Sequence, residues 1–149
     1  MKIGGFWSGH DCSFCVLENG IPTIHCEYER ILREKEPSGD SVSIYKQFFD
    51  LNDLDHIATV HPIAKLNQQP SWSEVQSQFK DRLHVFSHHQ AHAAHGFYTS
   101  PYTNATIITV DGGGVETSDG IETATTVWTG EGKKITKESR VRPPWLGRP

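Results

Sequence analysis

Asn19-Gly20 stands between two extended apolar runs, and few dipeptides constrain a chain more. Both residues accept a positive φ. The pair therefore closes a two-residue turn whose twist matches two antiparallel strands. Cys12 to Glu18 and Ile21 to Tyr28 are the predicted arms. A third apolar run, Lys2 to Trp7, precedes the turn Ser8-Gly9-His10-Asp11. Three strands joined by tight turns open the chain as an antiparallel meander.

Downstream, strands and helices interleave. Glu29 to Lys35 reads as helix and Glu36 to Asp40 as loop. Ser41 is placed to cap a helix through Leu51, with Ile44, Phe48 and Leu51 on one face. His56 to Ile63 reads as a strand that Pro62 ends. Ser71 to Asp81 reads as a helix, with Ser71 and Glu74 spaced as a capping box. Leu83 to Phe86 is a short strand entering a histidine-rich helix, and residues 104–110 form the next strand. Thr123 to Trp128 and Lys133 to Ser139 flank a glycine-rich turn. A meander followed by alternating helices and strands is an α/β pattern with a mixed sheet.

The length, 149 residues, suits one domain. Residues 1–139 are its expected extent. Residues 140–149 have no periodicity and read as an irregular tail at a truncation. Fourteen basic against 18 acidic residues leave no basic surface for nucleic acid. No apolar run approaches the roughly 20 residues of a membrane span. The first residues are too soon interrupted by Ser8, Gly9 and His10 for a signal peptide, so a cytoplasmic location is expected. Three cysteines fit reduced thiols. Cys12 and Cys15 form a C-x-x-C, but they enter a strand rather than a helix start. That context suits small buried residues better than a redox pair.

Chemistry concentrates in Ser87-His88-His89-Gln90-Ala91-His92-Ala93-Ala94-His95. His88 and His92 are one helical turn apart, about 5–6 Å at Cβ, and can share one metal ion. His95 is too far along the helix, about 10 Å from His88, to join them. His89 points about 100° away and reads as a hydrogen-bonded packing residue. The strand after this helix ends in Asp111-Gly112-Gly113-Gly114, which offers a third ligand and a glycine turn. Two His and carboxylate leave open positions suited to Fe(II), Mn or Zn. Gly9 to Ser13 is a second glycine turn able to cradle phosphate. His10, beside Asp11, is a candidate acid–base group.

His88 to Tyr102 resembles the His-His-x-x-His-Ala-x-x-x-Phe-Tyr-x-Ser-Pro signature of the O-carbamoyltransferases of nodulation factors and antibiotics. Ser8-Gly9-His10-Asp11-Cys12-Ser13, Glu27-Tyr28-Glu29-Arg30 and Ile108-Thr109-Val110-Asp111-Gly112 resemble further elements of that family, in its order, from residue 1 to about 128. The resemblance implies a half-lobe of the actin-like, sugar-kinase and heat-shock ATPase superfamily, incomplete in this chain. It implies transfer of a carbamoyl group to the hydroxyl of a small molecule from carbamoyl adenylate, which a separate domain of the full-length parent would make from carbamoyl phosphate and ATP. His88, His92 and Asp111 would hold the metal, with Fe(II) the first choice. Gly9, Ser13, Gly112, Gly113 and Gly114 would face the adenylate phosphates, and His10 and Asp11 would serve catalysis. Arg30 would line the pocket or serve structure.

Two rivals differ in chemistry. A threonylcarbamoyl transferase acting on tRNA shares the two-His helix but carries Met-Glu-Gly where this chain has His89-Gln90-Ala91. A metal-binding or interaction module without catalysis needs no second lobe.

Overall fold

The computed structural model describes residues 1–60, 69–115 and 122–141. The end of the expected strand at His61 to Ile63, and residues 142–149 of the expected tail, lie outside them. The chain divides into two compact units, Met1–Val85 and Phe86–Pro149.

The first unit is built on a mixed sheet. β1 (Lys2–Trp7), β2 (Ser13–Glu18) and β3 (Ile21–Glu27) form the antiparallel meander. Asn19 and Gly20 both have positive φ, 53° and 84°, as the two-residue turn demands. β4 (His56–Val60) pairs parallel with β1, and β5 (Leu83–Phe86) completes the order β3-β2-β1-β4-β5. The core lies between this sheet and short helices: α1 (Tyr28–Leu32), α2 (Ser41–Tyr45) and α3 (Trp72–Phe79). Alternate β1 and β2 positions face inward. Phe6 and Phe14 meet the edge of Tyr45 from α2, at centroid separations of 5.4 and 5.3 Å. Ile57, Trp72, Val75 and Phe79 close the core from β4 and α3.

Two helix expectations are corrected. The helix at Ser41 ends at Tyr45 rather than Leu51, leaving Phe48 58 % exposed. Asp50 takes the following chain into a separate 3₁₀ turn by accepting from the Asn52 amide, the local competition that aspartate offers a helix. The cap of α2 is Asp40, not Ser41. One Asp40 oxygen accepts from the Val42 and Ser43 amides, while Ser41 is buried against Ser8. Ser71 makes no cap of its own. Its hydroxyl and amide both donate to Asp40, and Glu74 pairs with Lys46 at 2.6 Å instead. A carboxylate is the stronger acceptor, so it takes the donors at the starts of both helices.

Burial alone would raise the Asp40 pKa. The Ser71 hydroxyl and then the Ser43 amide and hydroxyl outweigh it and hold the carboxyl below its ordinary 3.8. Asp40→Ala should cost about 2 kcal/mol, the upper range for a lost cap. The sign of the pH effect follows. A carboxyl depressed in the folded state adds stability above its unfolded pKa, and loses it as pH falls through the folded one. Urea denaturation of wild type and Asp40→Asn should therefore differ at pH 7 and converge on acidification below about 4.

The second unit is a helix on an antiparallel sheet. α4 (His88–Tyr98) packs on β6 (Asn104–Val115) and β7 (Glu122–Glu131), with β8 (Lys134–Val141) beyond, in the order β6-β7-β8. Arg140 and Val141, expected in the tail, belong to β8. Gly132, at φ 59°, turns β7 into β8. Ala93, Phe97 and Trp128 are buried, and Tyr98 Oη donates to the Lys133 carbonyl at 2.9 Å.

Candidate metal centre

Ser87 starts α4 by accepting the Gln90 amide, as an N-cap serine does. His88 then falls on the first turn and His92 on the next, both turned toward the end of β6. His88 Nε2 lies 2.6 Å from Asp111 Oδ2 and 3.1 Å from His92 Nε2, and His92 Nε2 lies 3.4 Å from Asp111 Oδ2. Among the described residues, these three form the one group of three or more His, Cys, Asp and Glu side chains placed to share a metal, with their ligand atoms within 4.8 Å of one another. Donors bound cis to one ion at about 2.1 Å lie about 3 Å apart, so the observed edges bracket what a shared ion requires.

The electrostatics suit a cation. The His88 hydrogen bond holds the Asp111 carboxyl below its ordinary 3.8 against the opposing effect of burial, and the Gly112 amide assists at 2.6 Å. Burial first, and then the neighbouring His88, hold His92 below its ordinary 6.5. A deprotonated acid and a neutral imidazole are the forms that bind metal. His95 is exposed and stands apart from the group.

The glycine run is strand rather than the expected turn. β6 continues to Val115, and its pairing with β7 slips between Val110 opposite Thr125 and Gly114 opposite Thr123. Asp111, Gly112 and Gly113 are thus set against Ala124 alone, a bulge. In a regular strand, positions three apart face opposite sides. The bulge brings Asp111 and Gly114 to the same helix. A Cβ at Gly114 would overlap the His88 ring, whereas one at Gly112 would meet nothing within 4 Å. Gly114→Ala should therefore lower metal affinity at least about tenfold by displacing one imidazole. Gly112→Ala should leave it unchanged, as calorimetric titration with Zn(II) would show.

Little in the residue pattern points to what lies beneath the His88, His92 and Asp111 group. His89 is fully buried, as its helix position predicts, and it anchors a polar chain. His89 Nε2 faces the Thr123 carbonyl at 2.8 Å, so Nε2 donates and Nδ1 accepts. Nδ1 lies 2.6 Å from Thr109 Oγ1, which lies 2.5 Å from Thr126 Oγ1. Thr126 accepts from Trp128 Nε1 at 2.6 Å. An indole can only donate and a carbonyl can only accept, so every bond in the chain has one direction. The threonines on β6 and β7 were the one available signal.

The other expected site residues belong to the first unit. Gly9, His10 and Asp11 form the β1–β2 turn. His10 Nδ1 and Asp11 Oδ2 are 2.7 Å apart and exposed, and Trp7 Nε1 donates to the His10 carbonyl at 2.6 Å. Asp11, Ser13, His25, Glu27, Glu29 and Arg30 line a cavity of about 330 Å³ with Cys12. Arg30 is paired with Glu27 at 3.0 Å and Glu29 at 3.4 Å. Burial, then Asp40 and Cys26, push the Cys12 thiol up to about 12, away from the low value a redox cysteine needs.

No family model and no curated protein matches the chain. Among solved structures it is similar in fold to HypF of T. kodakarensis, with a TM-score of 0.61 and 19 % identity over 87 % of this chain. The match spans 17 % of the HypF chain. No described helix is long and apolar enough to cross a membrane. The described chain is a mixed α/β protein of one five-stranded mixed sheet and one three-stranded antiparallel sheet, and it shares its fold with part of HypF.

Proposed function

We propose that this chain is the metal-holding part of an O-carbamoyltransferase of the actin-like superfamily. Its reaction would move a carbamoyl group from carbamoyl adenylate to the hydroxyl of a small molecule. The observation that carries this reading is the meeting of His88, His92 and Asp111. They are the residues that the family signature marks as ligands, and they converge from a helix and a bulged strand. The fold likeness to HypF supports the architecture, and the motifs narrow the chemistry.

The donor set suits a divalent transition metal, Fe(II) first and Mn or Zn next. When bound, such an ion supplies Lewis acidity that offsets negative charge on phosphate or carbamoyl oxygens. The chain's own groups do the rest. His88 and His92 present ring nitrogens, the latter held toward its neutral form, and Asp111 is held toward its ionised form. In this reading His10, hydrogen-bonded to Asp11, is assigned to take the acceptor hydroxyl's proton as the new carbamate C–O bond forms. The bond from the carbamoyl carbon to the adenylate oxygen then breaks, and AMP leaves with that electron pair. It is the resemblance that assigns Gly9, Ser13 and the Gly112 to Gly114 backbone to the adenylate phosphates. Two bulge residues, Gly112 and Gly113, have no strand partner in the ladder, although the Gly112 N–H already serves Asp111.

A stable sulfamoyl analogue of carbamoyl adenylate tests the reading. Calorimetry should show it binding the Zn(II)-loaded chain, with affinity at least about tenfold weaker for Asp111→Asn. Equal binding with and without metal, or none, would overturn the assignment.

A further inference from the structure

A second pair of imidazoles lies in the first unit, unused by the reading above. His56 is on β4 and His84 on β5, the neighbouring strands at one end of the five-stranded sheet. His56 Nδ1 and His84 Nε2 are 3.1 Å apart, the ring centroids are 5.1 Å apart, and the planes meet at 44°. Sheet pairing fixes both backbones, so bringing the nitrogens together orders no loop. Two imidazole nitrogens at this separation either share a proton or share an ion. Donors cis on one ion at about 2.0–2.1 Å lie about 3 Å apart, which is the spacing found. His84 is exposed and His56 half-buried, so water can reach the other coordination positions from the His84 side. A nitrogen-only pair selects Zn(II), Ni(II) or Cu(II), and not Mg(II) or Ca(II), which require oxygen.

We propose that His56 and His84 form a second metal site, a two-histidine clamp across β4 and β5 for one borderline divalent ion. It shares no residue with the His88, His92 and Asp111 group and stands whether or not the carbamoyl reading does. An ion held there would staple the two end strands together.

Ni(II) titrated calorimetrically into the tag-free chain carrying His92→Ala and Asp111→Asn tests it. One equivalent should still bind. Adding His84→Asn or His56→Gln should weaken that binding at least about tenfold, whereas His95→Ala should not. Mg(II) should give no heat beyond dilution. Metal-free melting curves report whether each variant folds. A second measurement needs no variant: in the unsubstituted chain, paramagnetic Ni(II) should broaden the His56 and His84 ring proton signals along with those of His88 and His92. Ring signals of His56 and His84 that stay sharp at saturating Ni(II), or Ni(II) binding unchanged in His84→Asn and His56→Gln, would overturn the proposal.

Discussion

Adding Fe(II), Mn(II) or Zn(II) to the metal-free chain should raise the stability of its second unit, and His88→Ala should remove the rise. An ion that binds only the folded state at a hundred times its dissociation constant adds about 2.7 kcal/mol. The ligand geometry predicts how variants divide. His88 is the hub, within 3.1 Å of both other donors. Its loss leaves His92 and Asp111, 3.4 Å apart, as a weaker pair. Asp111→Asn should act like His88→Ala, because it removes the anionic donor and keeps the shape. Thermal melts read by a probe in the second unit, such as Trp128 fluorescence, provide the measurement. A metal-induced shift of equal size in wild type and His88→Ala would remove the site. Acid should release the ion, since protonating Asp111 or His92 destroys a donor.

The second large effect concerns His89. His89→Leu keeps volume in the buried layer but removes both ends of a hydrogen-bond pair. The Thr109 hydroxyl and the Thr123 carbonyl then lose their partner away from water. Each stranded group costs about 1–3 kcal/mol, so the substitution should cost about 3 kcal/mol or more. Thr126→Val breaks the same chain one link later and strands Trp128 Nε1. Because the bonds are polarised in one direction, the two losses should not add. A double-mutant cycle by urea denaturation should show coupling well above that of two distant sites. Additive losses would mean that the chain is a set of independent bonds.

The strands of the meander and the two hairpin turns were legible in the sequence. Asn19-Gly20 and Gly132 mark their turns by the positive φ they accept, a local property that a sequence displays directly. The helix starts were not. Ser41 and Ser71 are sound caps by local rules, but Asp40 lies within reach of both helices and displaces them. No pattern in the sequence shows that residues 31 apart will share a hydrogen bond of this kind. The meeting of His88 and His92 on one helix face was legible because i, i+4 spacing on a helix fixes relative position before any fold is known. How β6 presents Asp111 was not, since a glycine run reads equally as turn, strand or bulge. The buried chain from His89 to Trp128 escaped for a similar reason: cross-strand register decides which threonines meet.

The slipped pairing of β6 against β7 has a consequence for how such a sequence can drift. Most exchanges of side chain nearby leave the backbone path intact, and the acid keeps its aim. Loss or gain of a single residue between Val110 and Gly114 reverses the parity of everything beyond it, sending one of the two contacts with the first imidazole to the wrong side. Among relatives that keep an ion here, the count of residues in this short segment should be more invariant than their identities.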